Sequence, residues 1–142
     1  MTAPSTPRQS LKPHHVHAIL YSRETIAARV AEIAAEIKAK VTTDDFVMVG
    51  VLRGSFMFFA DLCRALHEID VHPRIDFMTL ESYGKGTVST GVPRVTKDLS
   101  VDISGAQVLV VDDILDTGRT LKFALQHIRN KGAAEVRTCT LL

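Results

Sequence analysis

One run constrains this chain more than the rest together: Val108-Leu109-Val110-Val111-Asp112-Asp113-Ile114-Leu115-Asp116-Thr117-Gly118-Arg119-Thr120-Leu121. Its apolar, mostly β-branched start reads as a buried strand. Two adjacent carboxylates close that strand. A short loop of Asp, Thr and Gly follows, and then a helical pattern begins. In open α/β sheets, ligands bind just outside the carboxyl ends of strands. A helix start there offers unpaired backbone N–H groups and the positive end of a dipole, which suit a phosphate. Adjacent carboxylates suit sugar hydroxyls or a hydrated divalent cation. The two features side by side fit a phosphorylated sugar.

Composition narrows the class. At 142 residues the chain is long enough for one α/β domain with a buried core. Its net charge of +1 provides no strong field for nucleic acid or an anionic membrane, so neither is expected as a partner. No apolar run is long enough to span a bilayer. Cys63 and Cys139 stand in apolar patterns without a C-x-x-C spacing, which predicts buried free thiols and a reducing, cytoplasmic setting. Residues 1–17 are rich in Pro, Ser, Thr and basic residues and are expected to be a flexible leader. His14, His15 and His17 lie there with no acidic or Cys partner spaced to complete a metal site. Residues 18–142 are expected to form the core domain.

Strand and helix patterns alternate. Ser22 is placed to cap a helix running to about Lys40, with Ile26, Val30, Ile33 and Ile37 on its core face. Phe46–Val51 reads as a short buried strand. Leu52-Arg53-Gly54-Ser55 breaks it before a helix from Phe56 to about His67, with Phe56, Phe59, Leu62, Cys63 and Leu66 on the buried face. Strands are predicted over Arg74–Leu80 and Val95–Leu99, separated by a Gly-, Ser- and Thr-rich loop that reads as mobile. The central strand covers Gln107–Val111. A helix follows from Gly118 to Lys131 and is stopped by Gly132, and a last strand starts at Glu135. No internal repeat is present. This order predicts an α/β fold with a twisted, mainly parallel sheet and helices on both faces.

A second constellation sits at another strand-to-helix junction. Gly54 lets backbone N–H groups approach an anion closely, and Arg53 adds a fixed charge. A third follows the Asp76-Phe77-Met78 strand, where Glu81-Ser82-Tyr83-Gly84 opens the Gly-rich loop. The run from Val108 to Leu121 is similar to the phosphoribosyl-pyrophosphate (PRPP) signature of type I phosphoribosyltransferases: a hydrophobic strand, two acids, two apolar residues, then Asp-Thr/Ser-Gly-x-Thr. Asp112 departs from the Glu usual in the purine-salvage branch, which shortens the reach but keeps the charge. Taken alone, Asp112-Asp113 also fits a solvated strand end or the acidic end of a Walker B strand, but no G-x-x-x-x-G-K-[ST] occurs. Leu52-Arg53-Gly54-Ser55-Phe56-Met57-Phe58-Phe59-Ala60-Asp61 resembles the pyrophosphate loop and following helix of bacterial hypoxanthine phosphoribosyltransferases, where the peptide matching Leu52–Arg53 can be cis. Asp76-Phe77-Met78 followed by Glu81-Ser82-Tyr83-Gly84 resembles the strand and long catalytic loop of the same family, so three motifs match in order, over nearly the whole chain from Ser22.

The resemblance implies a type I phosphoribosyltransferase fold with a flexible catalytic loop. It implies Mg²⁺-dependent transfer of phosphoribosyl from PRPP to hypoxanthine, and to guanine, in a homodimer or homotetramer. It gives Asp112 and Asp113 to the ribose hydroxyls or Mg²⁺, and Asp116, Thr117, Gly118, Arg119 and Thr120 to the 5′-phosphate. Asp116 is also the expected general base, with burial in a closed site raising its basicity; its other reading is a helix cap. Leu52, Arg53 and Gly54 fall to the pyrophosphate, Ser82 and Tyr83 to the closing loop, and Ile114 to the base vicinity or the core. The family's sequence continues past the Cys139-Thr140-Leu141-Leu142 strand into a Lys-bearing loop and a hood that read the purine. The expectation is therefore a C-terminally truncated core that binds PRPP better than purine and exposes an apolar sheet edge. A PRPP-binding regulator of the same fold and a transferase for another base, such as xanthine, are the competing readings. A receiver-type signalling domain accounts for the acids but not for Thr-Gly-x-Thr.

Overall fold

A computed structural model describes residues 18–82 and 93–142. Tyr83 and the Gly-rich stretch after it, together with the N-terminal leader, lie outside the described residues. The elements run α1 (Arg23–Lys40), β1 (Phe46–Leu52), α2 (Phe56–Glu68), β2 (Arg74–Ser82), β3 (Pro93–Lys97), β4 (Gln107–Asp112), α3 (Arg119–Asn130) and β5 (Glu135–Thr140). The sheet order is β3-β2-β1-β4-β5. Only β3 is antiparallel, paired to β2; all the other ladders are parallel.

Alternation along β1 and β4 divides the core into two halves. Phe46, Met48, Leu109 and Val111 face α1 and α2, where Val30, Ile33, Phe59, Leu62 and Leu66 complete the packing. Val47, Val49, Val51, Val108 and Val110 face Leu121, Ala124 and Ile128 of α3. Strands buried on both faces read as unbroken apolar runs, and these do. The predicted α/β fold with helices on both faces is therefore the observed one.

Several local expectations need correction. Ser22 caps α1 through its hydroxyl and the Thr25 N–H, as its position predicts. Ile26, however, is 38% exposed, and Ala34 completes the stripe instead. On α2 the buried aromatic residues are Phe58 and Phe59, while Phe56 is 57% exposed. The predicted stripe holds at Phe59, Leu62 and Leu66, and Phe58 takes the place of Phe56, which opens the first turn. β3 runs Pro93–Lys97, two residues ahead of the expected strand. Its end is fixed by Asp76, a buried carboxylate on β2 that accepts from the N–H groups of Phe77, Ser100 and Val101 and from Lys97 Nζ. Burial works to raise the pKa of Asp76, but those hydrogen bonds outweigh it and hold the carboxyl below its ordinary value. The segment after Lys97 is thereby tied to β2 as a loop. The helix α3 ends at Asn130 with Lys131 as its C-cap, and Gly132 follows with φ +89°, a left-handed stop that glycine adopts without strain.

Gly50, in the middle of β1, leaves space for one aromatic pair. The Phe59 and Phe77 rings lie 4.8 Å apart. A Cβ on Gly50 would meet Phe77 Cδ1 at 2.8 Å and Phe59 Cδ2 at 3.0 Å. Gly50→Ala is expected to destabilise the fold by about 1–3 kcal/mol through overpacking. Urea unfolding measures this, and an unchanged midpoint would contradict the packing described.

Candidate active site

Strand order places the chemistry. From β1 the chain crosses through α2 to β2 on one side, and from β4 it crosses through α3 to β5 on the other. The connections diverge between β1 and β4, which makes the carboxyl ends of these two strands a topological switch point. Leu52-Arg53-Gly54 ends β1 there, and Asp112-Asp113 ends β4. The ladder partner of Gly50 is Val111, so the two loops begin at the same level of the sheet.

They also touch. A Cβ on Gly54 would lie 3.0 Å from both carboxylate oxygens of Asp113, so the Asp113 side chain fills the space that glycine leaves open. Leu52 is half-buried, Arg53 is exposed, and the Leu52–Arg53 peptide is cis. On the β4 side, Asp112 Oδ1 accepts the Asp113 N–H at 3.0 Å, and Asp113 Oδ1 accepts the Ile114 N–H at 3.0 Å. Half-burial, chiefly, and the neighbouring Asp113 carboxylate push the Asp112 pKa up to about 6, against its bond from the Asp113 N–H.

Residues Asp112 to Gly118, with Thr120 and Leu121, line a cavity of about 180 Å³. Gly118 turns the loop into α3 with φ +71°, and its carbonyl accepts the Lys122 N–H at 2.8 Å. No side chain caps α3, so Asp116 is not the helix cap. The amides of the first helical turn have no intrahelical partner and are the natural donors to an anion. The Thr117 hydroxyl accepts weakly from the Arg119 N–H at 3.5 Å. Asp116, Thr117 and Thr120 are exposed around the opening, whereas Arg119 is exposed but does not line the cavity. The protein alone therefore does not bury Asp116 as expected for a base in a closed site. Ile114 is 56% exposed and so is not a core residue.

Sequence reasoning missed a further support. Past β5, the Leu141 and Leu142 N–H groups both donate to the Asp113 carbonyl, and the Leu115 N–H donates to the Leu142 carbonyl. These backbone bonds hold the acidic loop from the side opposite Gly54, and backbone bonds leave no residue-type signal. Ser82 ends β2 on the same edge of the sheet. Tyr83 is outside the described residues. Larger hollows exist, between α1 and α2 (about 770 Å³) and between α1 and β5 (about 320 Å³). Neither combines paired carboxylates with a glycine turn into a helix, so volume does not identify the site here.

No cluster of three or more His, Cys, Asp or Glu side chains is gathered as a metal-ligand set among the described residues. Asp112 and Asp113 supply two hard oxygen donor groups. That fits Mg²⁺, which binds through one or two carboxylates plus ligand phosphates and keeps several waters.

The raised pKa of Asp112 has a consequence for stability. Its folded value lies above its unfolded one, so its contribution is fully present below about pH 4 and is lost as pH rises through about 6. Asp112→Asn keeps the acceptor for the Asp113 N–H and removes the charge. Without divalent cation, the variant is expected to melt higher than the parent at pH 7.5 and equally at pH 3.5. A lower melting temperature at pH 7.5 would contradict the electrostatic reading.

Comparison with known proteins agrees with this geometry. Residues 18–142 match the phosphoribosyl transferase domain. The chain is 43% identical over 135 residues to a hypoxanthine phosphoribosyltransferase of Haemophilus influenzae, covering 93% of this chain and 73% of that one. It is 39% identical over 145 residues to a hypoxanthine-guanine phosphoribosyltransferase of Mycobacterium avium, covering 96% and 70%. A crystal structure of a hypoxanthine phosphoribosyltransferase from Staphylococcus aureus superposes with a TM-score of 0.78 at 35% identity, over 87% of this chain and 66% of that one. The chain thus spans about two thirds to three quarters of the length of these relatives. With its sheet order, its two switch-point loops and this similarity, the chain belongs to the phosphoribosyltransferase family, in its hypoxanthine-guanine branch.

Proposed function

We propose that this protein transfers the 5-phosphoribosyl group of PRPP to hypoxanthine, and to guanine, in purine salvage. The observation that carries the reading is the contact between Gly54 and the Asp113 carboxylate. It brings a glycine loop at one strand end against the acids at the next, with the start of α3 alongside. A ligand with an anion at each end and a polyol between them fits that order.

The 5′-phosphate is assigned to the loop from Asp116 to Thr120, through backbone N–H groups and the Thr117 and Thr120 hydroxyls. The pyrophosphate is assigned to Leu52, Arg53 and Gly54, with Ser82 and Tyr83 from the loop after β2. Asp112 and Asp113 take the ribose hydroxyls or hold Mg²⁺. Carboxylates beside a polyanion repel it, which favours a divalent cation between them. When bound, Mg²⁺ neutralises the pyrophosphate and makes it a better leaving group.

In the reaction the C1′–N9 bond forms and the C1′–O bond to pyrophosphate breaks, with positive charge developing on the ribose ring. The carboxylates of Asp112 and Asp113 favour that charge electrostatically. The purine loses its N7 proton as N9 is alkylated, and Asp116 is assigned to accept it. Ile114 and its neighbour Leu115, both more than half exposed, offer an apolar surface beside the base.

The direct test is nucleotide formation from hypoxanthine, PRPP and Mg²⁺. Product dependent on both PRPP and Mg²⁺ is expected. PRPP binding without product would favour a regulator of the same fold. Asp116→Asn is expected to lower kcat about 10²-fold or more, the scale of general-base catalysis, with the KM for PRPP within about threefold. Equal turnover in variant and parent would remove Asp116 from the mechanism.

A further inference from the structure

Ser55 is the one polar side chain of the Leu52-Arg53-Gly54-Ser55 turn that is fully buried. Its place, one residue before Phe56 opens α2, is that of a helix cap. Yet its backbone is already helical (φ −64°, ψ −11°), and its side chain makes no capping bond. Instead its hydroxyl donates to the Val51 carbonyl at 2.6 Å, reaching back across the turn to the end of β1. Two backbone bonds lock the helix side: the Phe56 N–H donates to the Arg53 carbonyl at 3.3 Å, and the Phe59 N–H to the Ser55 carbonyl at 2.8 Å. The turn is therefore pinned at both ends, and among the described residues the Ser55 hydroxyl is its one side-chain pin.

The turn carries Gly54, whose α-carbon faces the Asp113 carboxylate. A shift of the turn changes the spacing between the first loop and the acids. Hydrogen-bond donors to an anion act over a range of a few tenths of an ångström, and misplacement of such groups is costly to binding and rate.

We infer that Ser55 is a positioning residue for the pyrophosphate half of the site: through the Val51 carbonyl it fixes where Arg53 and Gly54 present themselves to the leaving group. This rests on the assignment of Leu52–Gly54 to pyrophosphate made above. The effect is predicted to be one-sided. The Ser55 hydroxyl bonds to the Val51 carbonyl and not to the loop from Asp116 to Thr120, so 5′-phosphate recognition is left intact.

The test uses the full chain with Ser55→Ala and with Ser55→Cys, which nearly keeps the volume but replaces the hydroxyl with a weak donor. Magnesium pyrophosphate, PRPP and ribose 5-phosphate are titrated calorimetrically, and the KM values for PRPP and hypoxanthine are measured. In both variants the Kd for pyrophosphate and for PRPP is expected to rise about five- to tenfold, the scale of one lost buried hydrogen bond. Ribose 5-phosphate affinity and the KM for hypoxanthine are expected to stay within about twofold, because neither depends on that bond. If Ser55→Ala does not fold, Ser55→Cys alone decides. Unchanged pyrophosphate binding, or equal weakening of pyrophosphate and ribose 5-phosphate, would overturn the inference. A parent chain that binds neither pyrophosphate nor PRPP would overturn the functional assignment itself, and this inference with it.

Discussion

The parallel pairing of β1 with β4 at the centre of the sheet governs everything built at its carboxyl edge. That ladder sets Val111 beside Gly50 and so delivers two unrelated turns, one glycine-bearing and one acidic, to the same level. The side chains that enforce the pairing are apolar on both faces: Phe46 and Met48 toward α1 and α2, Val47 and Val49 toward α3. The polar groups of the site therefore stand on an apolar platform. Their spacing is inherited from strand register rather than from contacts among themselves.

Above that platform the acidic loop is held from two sides. Gly54 gives the Asp113 carboxylate room on one flank, and the backbone after β5 takes up the Asp113 carbonyl on the other. The clustering has an electrostatic cost: in the protein alone, half-burial and a neighbouring carboxylate raise the pKa of Asp112. Such clustering leaves two hard oxygen donor groups side by side at the strand end. Many functional sites hold such tension against the stability of the surrounding core.

Much of this was legible in the sequence because the relevant signals are local. The run into Asp112-Asp113 and the Thr117-Gly118-Arg119-Thr120 turn mark strand, loop and helix within a few residues, and the turn at Arg53-Gly54 does the same. Features set by tertiary partners were not legible. Periodicity alone cannot tell whether Phe56 or Phe58 meets the sheet, since both lie in an unbroken aromatic stretch. Gly50 looks like a weak point in a strand until Phe59 and Phe77 are seen to need its space. Ser55 stands in the sequence only as part of the break before the helix, and the fold shows its hydroxyl turned back to Val51. The clamp from Leu141 and Leu142 is made of backbone groups that every residue possesses. The early end of β3 depends on Asp76, some twenty residues away in sequence.

Amide hydrogen exchange with and without PRPP and Mg²⁺ tests most directly whether the two switch-point loops form one ligand site. Strong protection is expected together in residues 52–56 and 112–121, with the groove between α1 and β5 unchanged. Protection confined to one loop, or centred on the α1–β5 groove, would contradict the account.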